Sequence, residues 1–327
     1  MTTQQDLVID AFDARVERRH NRRALFTAAL GAAAVGSAFA YSDPALAQSA
    51  VTDADVLNFA LNLEYLEAQF YLYAVNGTGL AASQTASGGG AAGGTVTGGA
   101  RVDFSGDPIV GAYAREIAAD EAAHVAFLRT NLGSAAVAMP NINISGASDG
   151  PFTAAARAAG VVGPTGTFNP YASPNDFLLG AFIFEDVGVT AYKGAAPLLS
   201  NKTFLEAAAG ILAVEAYHAA IVRTTLYAKG VQALVDATEL ISNARDTLDG
   251  SPAEDRIRGI GPEADQGIAP SGSGNTLTSN IAPLNVNGLA YSRTTGQVLN
   301  IVYLNAGTTT MGGFFPNGVN GNIRSTT

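Results

Sequence analysis

Two histidines lie three residues after a glutamate, each pair inside an apolar run: Glu121 and His124 in "ADEAAHVAF", and Glu215 and His218 in "AVEAYHAAI". The chain has 327 residues and only three histidines, so this placement is a constraint on the fold. Residues three apart on a helix leave the same face. Each pair therefore asks for a helix whose apolar side carries a carboxylate and an imidazole. An isolated ionised carboxylate is heavily penalised in an apolar interior. One such pair reads as an ordinary core hydrogen bond, whereas two need a common explanation.

The helices that explanation requires are written into the chain. "TDADVLNFALNLEYLEAQFYLYAVNG" opens on Thr52 and Asp55, a capping box, and stops at Asn76-Gly77. Its apolar residues at 56, 59, 60, 63, 66, 70 and 73 follow the helical period. A second helix begins at Asp107-Pro108 and ends at Gly133, a third begins at Ser173-Pro174 and breaks at Pro197, and a fourth runs from Lys202 to Lys229. Residues 231–248 read as a shorter amphipathic fifth helix. The segment 77–106, with "SGGGAAGGTVTGG", reads as a flexible low-complexity loop. Residues 133–173 form a long linker with one helical turn at "PFTAAARAAG". Four long helices with one long central connection describe an all-α bundle with a crossover. Past residue 250 the composition turns to Gly, Asn, Thr and Ser, with a short helix expected in "RTTGQVLNIVYLN" and a turn-rich end at "GGFFPNGVNG". The expected division is a bundle over 51–250 and a C-terminal extension over 251–327, packed on or beside it.

Helices one and three add further acidic residues within apolar runs. Glu64 is followed seven residues later by Tyr71, and Glu185 by Tyr192, an offset of about two turns. The chain thus reads as two half-bundles, Glu-x6-Tyr followed by Glu-x2-His. Glu67, one turn beyond Glu64, is the alternative acidic position on the first helix. Glu116, Asp120 and Asp186 read as solvated-face charges or helix-neighbour pairs. There is no cysteine, so any metal must be held by carboxylate, imidazole and water.

One Glu on each of two helices, with Glu-x-x-His on each of the other two, resembles the di-iron or di-manganese carboxylate site of the ferritin-like superfamily. "LEYLEAQFY", "DEAAH", "FEDVGVTAY" and "VEAYH" are similar to bacterial ferritin-like domain proteins related to plant desiccation-related proteins. The resemblance covers about residues 51–327. It implies a ferritin-like four-helix bundle holding two divalent ions, Fe or Mn. The metal ligands it implies are Glu64, Glu121, His124, Glu185, Glu215 and His218, with Tyr71 and Tyr192 as hydrogen-bond donors or radical-quenching residues beside them. Such a set suits iron or manganese and neutralises two divalent cations. The implied activity is metal oxidation, or reduction of peroxide or dioxygen, in stress protection. The alternative is a non-catalytic stress or surface-associated protein whose metals hold helices together. A storage cage fits poorly, because the long loops and tail would crowd a compact shell.

The remaining features bear on location and partners. "ERRHNRRALFTAALGAAAVGSAFAYSDPALAQSA" has a basic region, a modestly apolar run and a small-residue site at Ala45-Leu46-Ala47. Arg22-Arg23 before Ala24-Leu25-Phe26 resembles a twin-arginine export signal over residues 1–47, which implies a periplasmic or extracellular protein. Its removal takes His20 with it. The formal net charge of −10 argues against nucleic acid and anionic membrane surfaces as partners. A homo-oligomer is compatible with the sequence.

Overall fold

The computed structural model describes residues 51–250 and 265–326. The expected export signal over 1–47 lies outside the described residues. Four long helices form the bundle: α1 Asp53–Asn76, α3 Pro108–Leu132, α5 Pro174–Ala195 and α6 Lys202–Ala228. Each starts where its sequence supplies an oxygen for the orphan amides of the first turn. Thr52 and Asp55 form the capping box of α1, Asp107 accepts from Val110 ahead of α3, Ser173 accepts from Asp176, and Asn201 accepts from Thr203 and Phe204. At the far end of α1, Gly77 takes the left-handed conformation (φ 75°) that closes a helix without steric penalty.

α1 packs along α3 and α5 along α6, while α1 meets α5 and α3 meets α6 across the bundle. The two halves are not equally covered. α1 and α5 are buried around most of their circumference. Their outer side is overlaid by α4 Pro151–Ala159, α7 Gln232–Asp249, α8 Thr295–Val302 and the tail. α6 buries one stripe, Ala208, Ile211, Glu215, His218, Ala219, Val222, Arg223 and Leu226, and is more exposed elsewhere among the described residues.

The segment that reads as a flexible loop is ordered instead. It carries the short helix α2 Ala82–Thr85 and a strand, β1 Val96–Gly98, which pairs in parallel with β2 Ile142–Ile144 of the long linker. Glycine makes this possible by removing bulk at the contact. A Cβ at Gly94 would stand 2.5 Å from the Asn141 amide nitrogen, a clash that only a residue without a side chain avoids. The linker's expected single turn is the longer helix α4, ended by Gly160 at φ 80°.

The C-terminal extension is held by both apolar and charged contacts. Phe314, fully buried, stands 5.0 Å from Phe152 and 5.0 Å from Phe184, ring centre to ring centre. Asn320 exchanges hydrogen bonds with Asn62 of α1. Beneath the extension lies a buried ion network that the sequence does not announce. Asp186 is 95% buried rather than on a solvated face, and accepts from Arg223 at 2.8 Å and Arg245 at 3.0 Å. Asp265 bridges Arg245 and Arg293, and Asp249 accepts from Arg293. Arg223 also donates to the carbonyls of Gln266, Gly267, Asn280 and Ile281, tying the start of the extension to α6.

Removing one member of a buried ion network strands its partners. Arg223→Ala should lower stability by about 3–5 kcal/mol in urea unfolding and open residues 266–281 to protease. Wild-type stability with an unchanged digestion pattern would refute the clamp.

Candidate metal centre

All four bundle helices send a carboxylate to one buried point midway along the bundle. Glu64, Glu121, Glu185 and Glu215 are each fully buried, and His124 and His218 nearly so. Two groups of converging ligand atoms result. One comprises Glu64, Glu121, His124 and Glu215, the other Glu121, Glu185 and His218, and within each all atoms lie inside 4.8 Å of one another. Glu121 belongs to both.

Each imidazole presents its Nδ1 to this centre. His124 Nδ1 lies 3.2 Å from Glu64, 3.6 Å from Glu121 and 3.7 Å from Glu215. His218 Nδ1 lies 3.0 Å from Glu121 and 3.6 Å from Glu185. Both carboxylate oxygens of Glu121 and of Glu215, one oxygen of Glu185 and His218 Nδ1 are buried without a hydrogen bond. Buried polar atoms are nearly always paired, so such a convergence asks for a ligand. Oxygen and imidazole donors with no sulfur fit a divalent first-row metal.

The tyrosines cross between the halves. Tyr71 of α1 donates to Glu185 of α5, and Tyr192 of α5 donates to Glu64 of α1. The offset of seven separates the Cα of each tyrosine from that of its own glutamate by about 10 Å along the helix. Because α1 and α5 run antiparallel, that same offset brings each hydroxyl onto the glutamate of the opposite helix. The two hydroxyls are thus hydrogen-bond donors to cluster carboxylates, from one half to the other.

Glu64 reaches the cluster and Glu67 lies beside it, 95% buried and outside both ligand groups. Two residues escaped the sequence reading. Gly188 sits on α5 where a Cβ would stand 2.1 Å from Glu215 Oε2, so its missing side chain is the space Glu215 occupies. Its signal was a glycine in the middle of an apolar helix, three residues after Glu185. Asp120, read as a solvated-face charge or a helix-neighbour pair, is half-exposed and places Oδ2 at 3.2 Å from His218 Nε2 of another helix. Glu116 is exposed on α3, as a solvated-face residue should be.

Charge is redistributed within the cluster. Burial works against ionisation of Glu121, yet the two imidazoles close beside it hold it down at about 2. Burial likewise opposes charge on His124, but Glu121 and Glu64 raise it to about 10. Burial and the charge of Glu121 push Glu64 up to about 7. Glu215 rises well above the usual carboxylate range through burial and then its acidic neighbours.

A ferritin-like domain model matches residues 52–228, a span that contains all four long helices and every cluster residue. The chain belongs to the ferritin-like family. It is 31% identical over 275 residues to the ferritin-like catalase Nec2 of Nesocodon mauritianus, covering 83% of this chain and 84% of that one. It is 28% identical over 257 residues to the desiccation-related protein PCC13-62 of Craterostigma plantagineum, covering 76% of each. No solved structure gives a significant match.

The metal-free cluster carries a pH signature. A group whose native pKa lies above its unfolded value stabilises the fold fully below the unfolded value, and that contribution is lost as pH climbs through the native one. Glu64 sets a window from 4.5 to about 7, and His124 one from 6.5 to about 10. Glu121, held low, has the opposite sign but acts only below 4.5. The chelator-treated protein should therefore melt at falling temperature as pH rises from about 5 to about 9, a trend that thermal scans across buffers would check. A melting temperature that rises over that range would contradict the cluster electrostatics.

Proposed function

We propose that this ferritin-like chain holds two divalent ions, iron or manganese, and uses them to disproportionate hydrogen peroxide. The observation that carries the reading is the pair of overlapping buried donor sets joined through Glu121. In this assignment Glu64, Glu121, His124 and Glu215 would hold one ion, and Glu121, Glu185 and His218 would hold the other. Four carboxylates balance two divalent charges, which removes the penalty that each would suffer in an apolar bundle. Similarity to a protein named a ferritin-like catalase favours peroxide as the substrate.

A redox-active metal pair supplies the two-electron exchange by which one peroxide is oxidised to dioxygen and a second is reduced to two waters. The chain's own residues do the rest. Tyr71 and Tyr192 hold Glu185 and Glu64 in place through their hydroxyls. The buried bundle keeps the cluster from bulk water. A surface groove of about 500 Å³, lined by Tyr113, Glu116, Asp120, Tyr217 and His218 among others, gives a small polar molecule an approach between α3 and α6. Burial, and then the charges of Glu121, Glu185 and Glu64, raise Glu67 well above the usual carboxylate range, which favours its protonated form beside the cluster.

Reconstituted protein should contain close to two ions per chain by elemental analysis and evolve oxygen from peroxide. Glu64→Ala should lower metal content more than Glu67→Ala, since only Glu64 belongs to a donor set. A chain that stays metal-free after manganese or ferrous reconstitution would overturn the assignment. Two bound ions with no peroxide turnover would leave them a structural role.

We further propose export as a folded protein to the periplasm or beyond, with a role in stress protection there. The support is Arg22-Arg23 and the apolar run that follows them. Arg22→Lys with Arg23→Lys should leave precursor in the cytoplasm on cell fractionation, and normal export of the double variant would refute this.

A further inference from the structure

The two halves of the centre match residue for residue: Glu64 with Glu185, Tyr71 with Tyr192, Glu121 with Glu215, and His124 with His218. The correspondence fails one residue earlier on the second and fourth helices. Asp120 precedes Glu121, but Val214 precedes Glu215. The difference falls behind the imidazoles. His218 turns Nδ1 toward Glu121 and Glu185, and its outer nitrogen, Nε2, lies 3.2 Å from Asp120 Oδ2. The equivalent position on α6 is Val214, whose side chain carries no hydrogen-bond acceptor. His124 Nε2 has no protein hydrogen-bond partner among the described residues.

We propose that Asp120 is a positioning residue for His218, and that it makes the two metal positions unequal. This rests on the dimetal reading above. A carboxylate accepting from Nε2–H fixes the imidazole tautomer, leaving the Nδ1 lone pair directed at the ion. It also orients the ring and raises the basicity of Nδ1 as a donor. His124, whose side chain is 11% exposed, has no such acceptor among the described residues. Asp120 is itself 44% exposed and lines the groove between α3 and α6, so water weakens its hold. Outer partners of this kind change metal affinity by about 10- to 100-fold, and the exposure of Asp120 puts its effect at the lower end.

The test is calorimetric titration of the chelator-stripped protein with Mn²⁺, comparing wild type, Asp120→Asn, His218→Ala, His124→Ala and the two double variants. Asparagine keeps the size of the side chain and an accepting oxygen while removing the charge. Asp120→Asn should weaken one of the two binding events about tenfold, leave the other unchanged, and still bind two ions at saturation. Its metal-free melting temperature should equal that of wild type. Added to His124→Ala, the same substitution should weaken the remaining ion about tenfold; added to His218→Ala it should change nothing, because the imidazole through which it acts is gone. Equal weakening of both events, no weakening of either, or a loss that persists in the His218→Ala background would overturn the proposal. A wild-type chain that binds no Mn²⁺ would instead overturn the dimetal reading on which it rests.

Discussion

Four carboxylates converge inside an apolar bundle, and the rest of the structure is arranged around that concentration of negative charge. In low dielectric such groups repel one another and lose their hydration, so each needs a proton, a cation or a hydrogen-bond donor. The protein supplies too few donors to satisfy them all. Tyr71 and Tyr192 cover one oxygen each on Glu185 and Glu64, and the two imidazoles draw Glu121 into its ionised form. Oxygens of Glu121, Glu185 and Glu215 remain buried without a hydrogen bond. Bound metal would complete that account, which is why the donor set reads as a metal centre rather than as an unusually polar core.

The crossed tyrosine bonds show how the fold makes this arrangement rigid. Each half of the bundle supplies the hydroxyl that the other half's glutamate needs, so α1 and α5 can slide past one another only by breaking both bonds. Gly188 acts in the same region by absence. The volume of its missing side chain is taken by the Glu215 carboxylate, and small shifts there would be transmitted because a packed core has little free space to absorb them. The site thus depends on residues of two kinds, those that carry chemistry and those that keep out of its way.

Coverage of the bundle is asymmetric, and the asymmetry divides labour. The extension, α4, α7 and α8 bury the α1/α5 side, with the Arg–Asp network beneath them. Arg223 and Arg245 pair with Asp186, the residue next to Glu185, so the clamp that holds the extension is anchored one residue from the cluster. The α3/α6 side stays open, and there the groove runs down to His218 and Asp120. One face of the molecule stabilises the centre while the other gives access to it.

Local chemistry in the sequence determined the helices and the principal cluster residues. Cap residues such as Thr52, Asp107 and Ser173 mark helix starts because their side chains satisfy amides only a few residues away. Glu-x-x-His fixes a shared face because helical geometry is local too. The Glu-x6-Tyr repeat showed the two halves, and it favoured Glu64 over Glu67, but the partner of each tyrosine depended on the antiparallel packing of two helices more than a hundred residues apart. The Gly-rich segment looked flexible because composition carries no information about the strand that β2 would offer it. Asp186 looked exposed because the arginines that bury it arrive from α6 and α7, and Asp120 because the imidazole behind which it sits belongs to another helix. What the sequence determined by itself was everything set by neighbours along the chain. Tertiary structure alone decided which charges face one another, since that depends on distances between segments that no local pattern encodes.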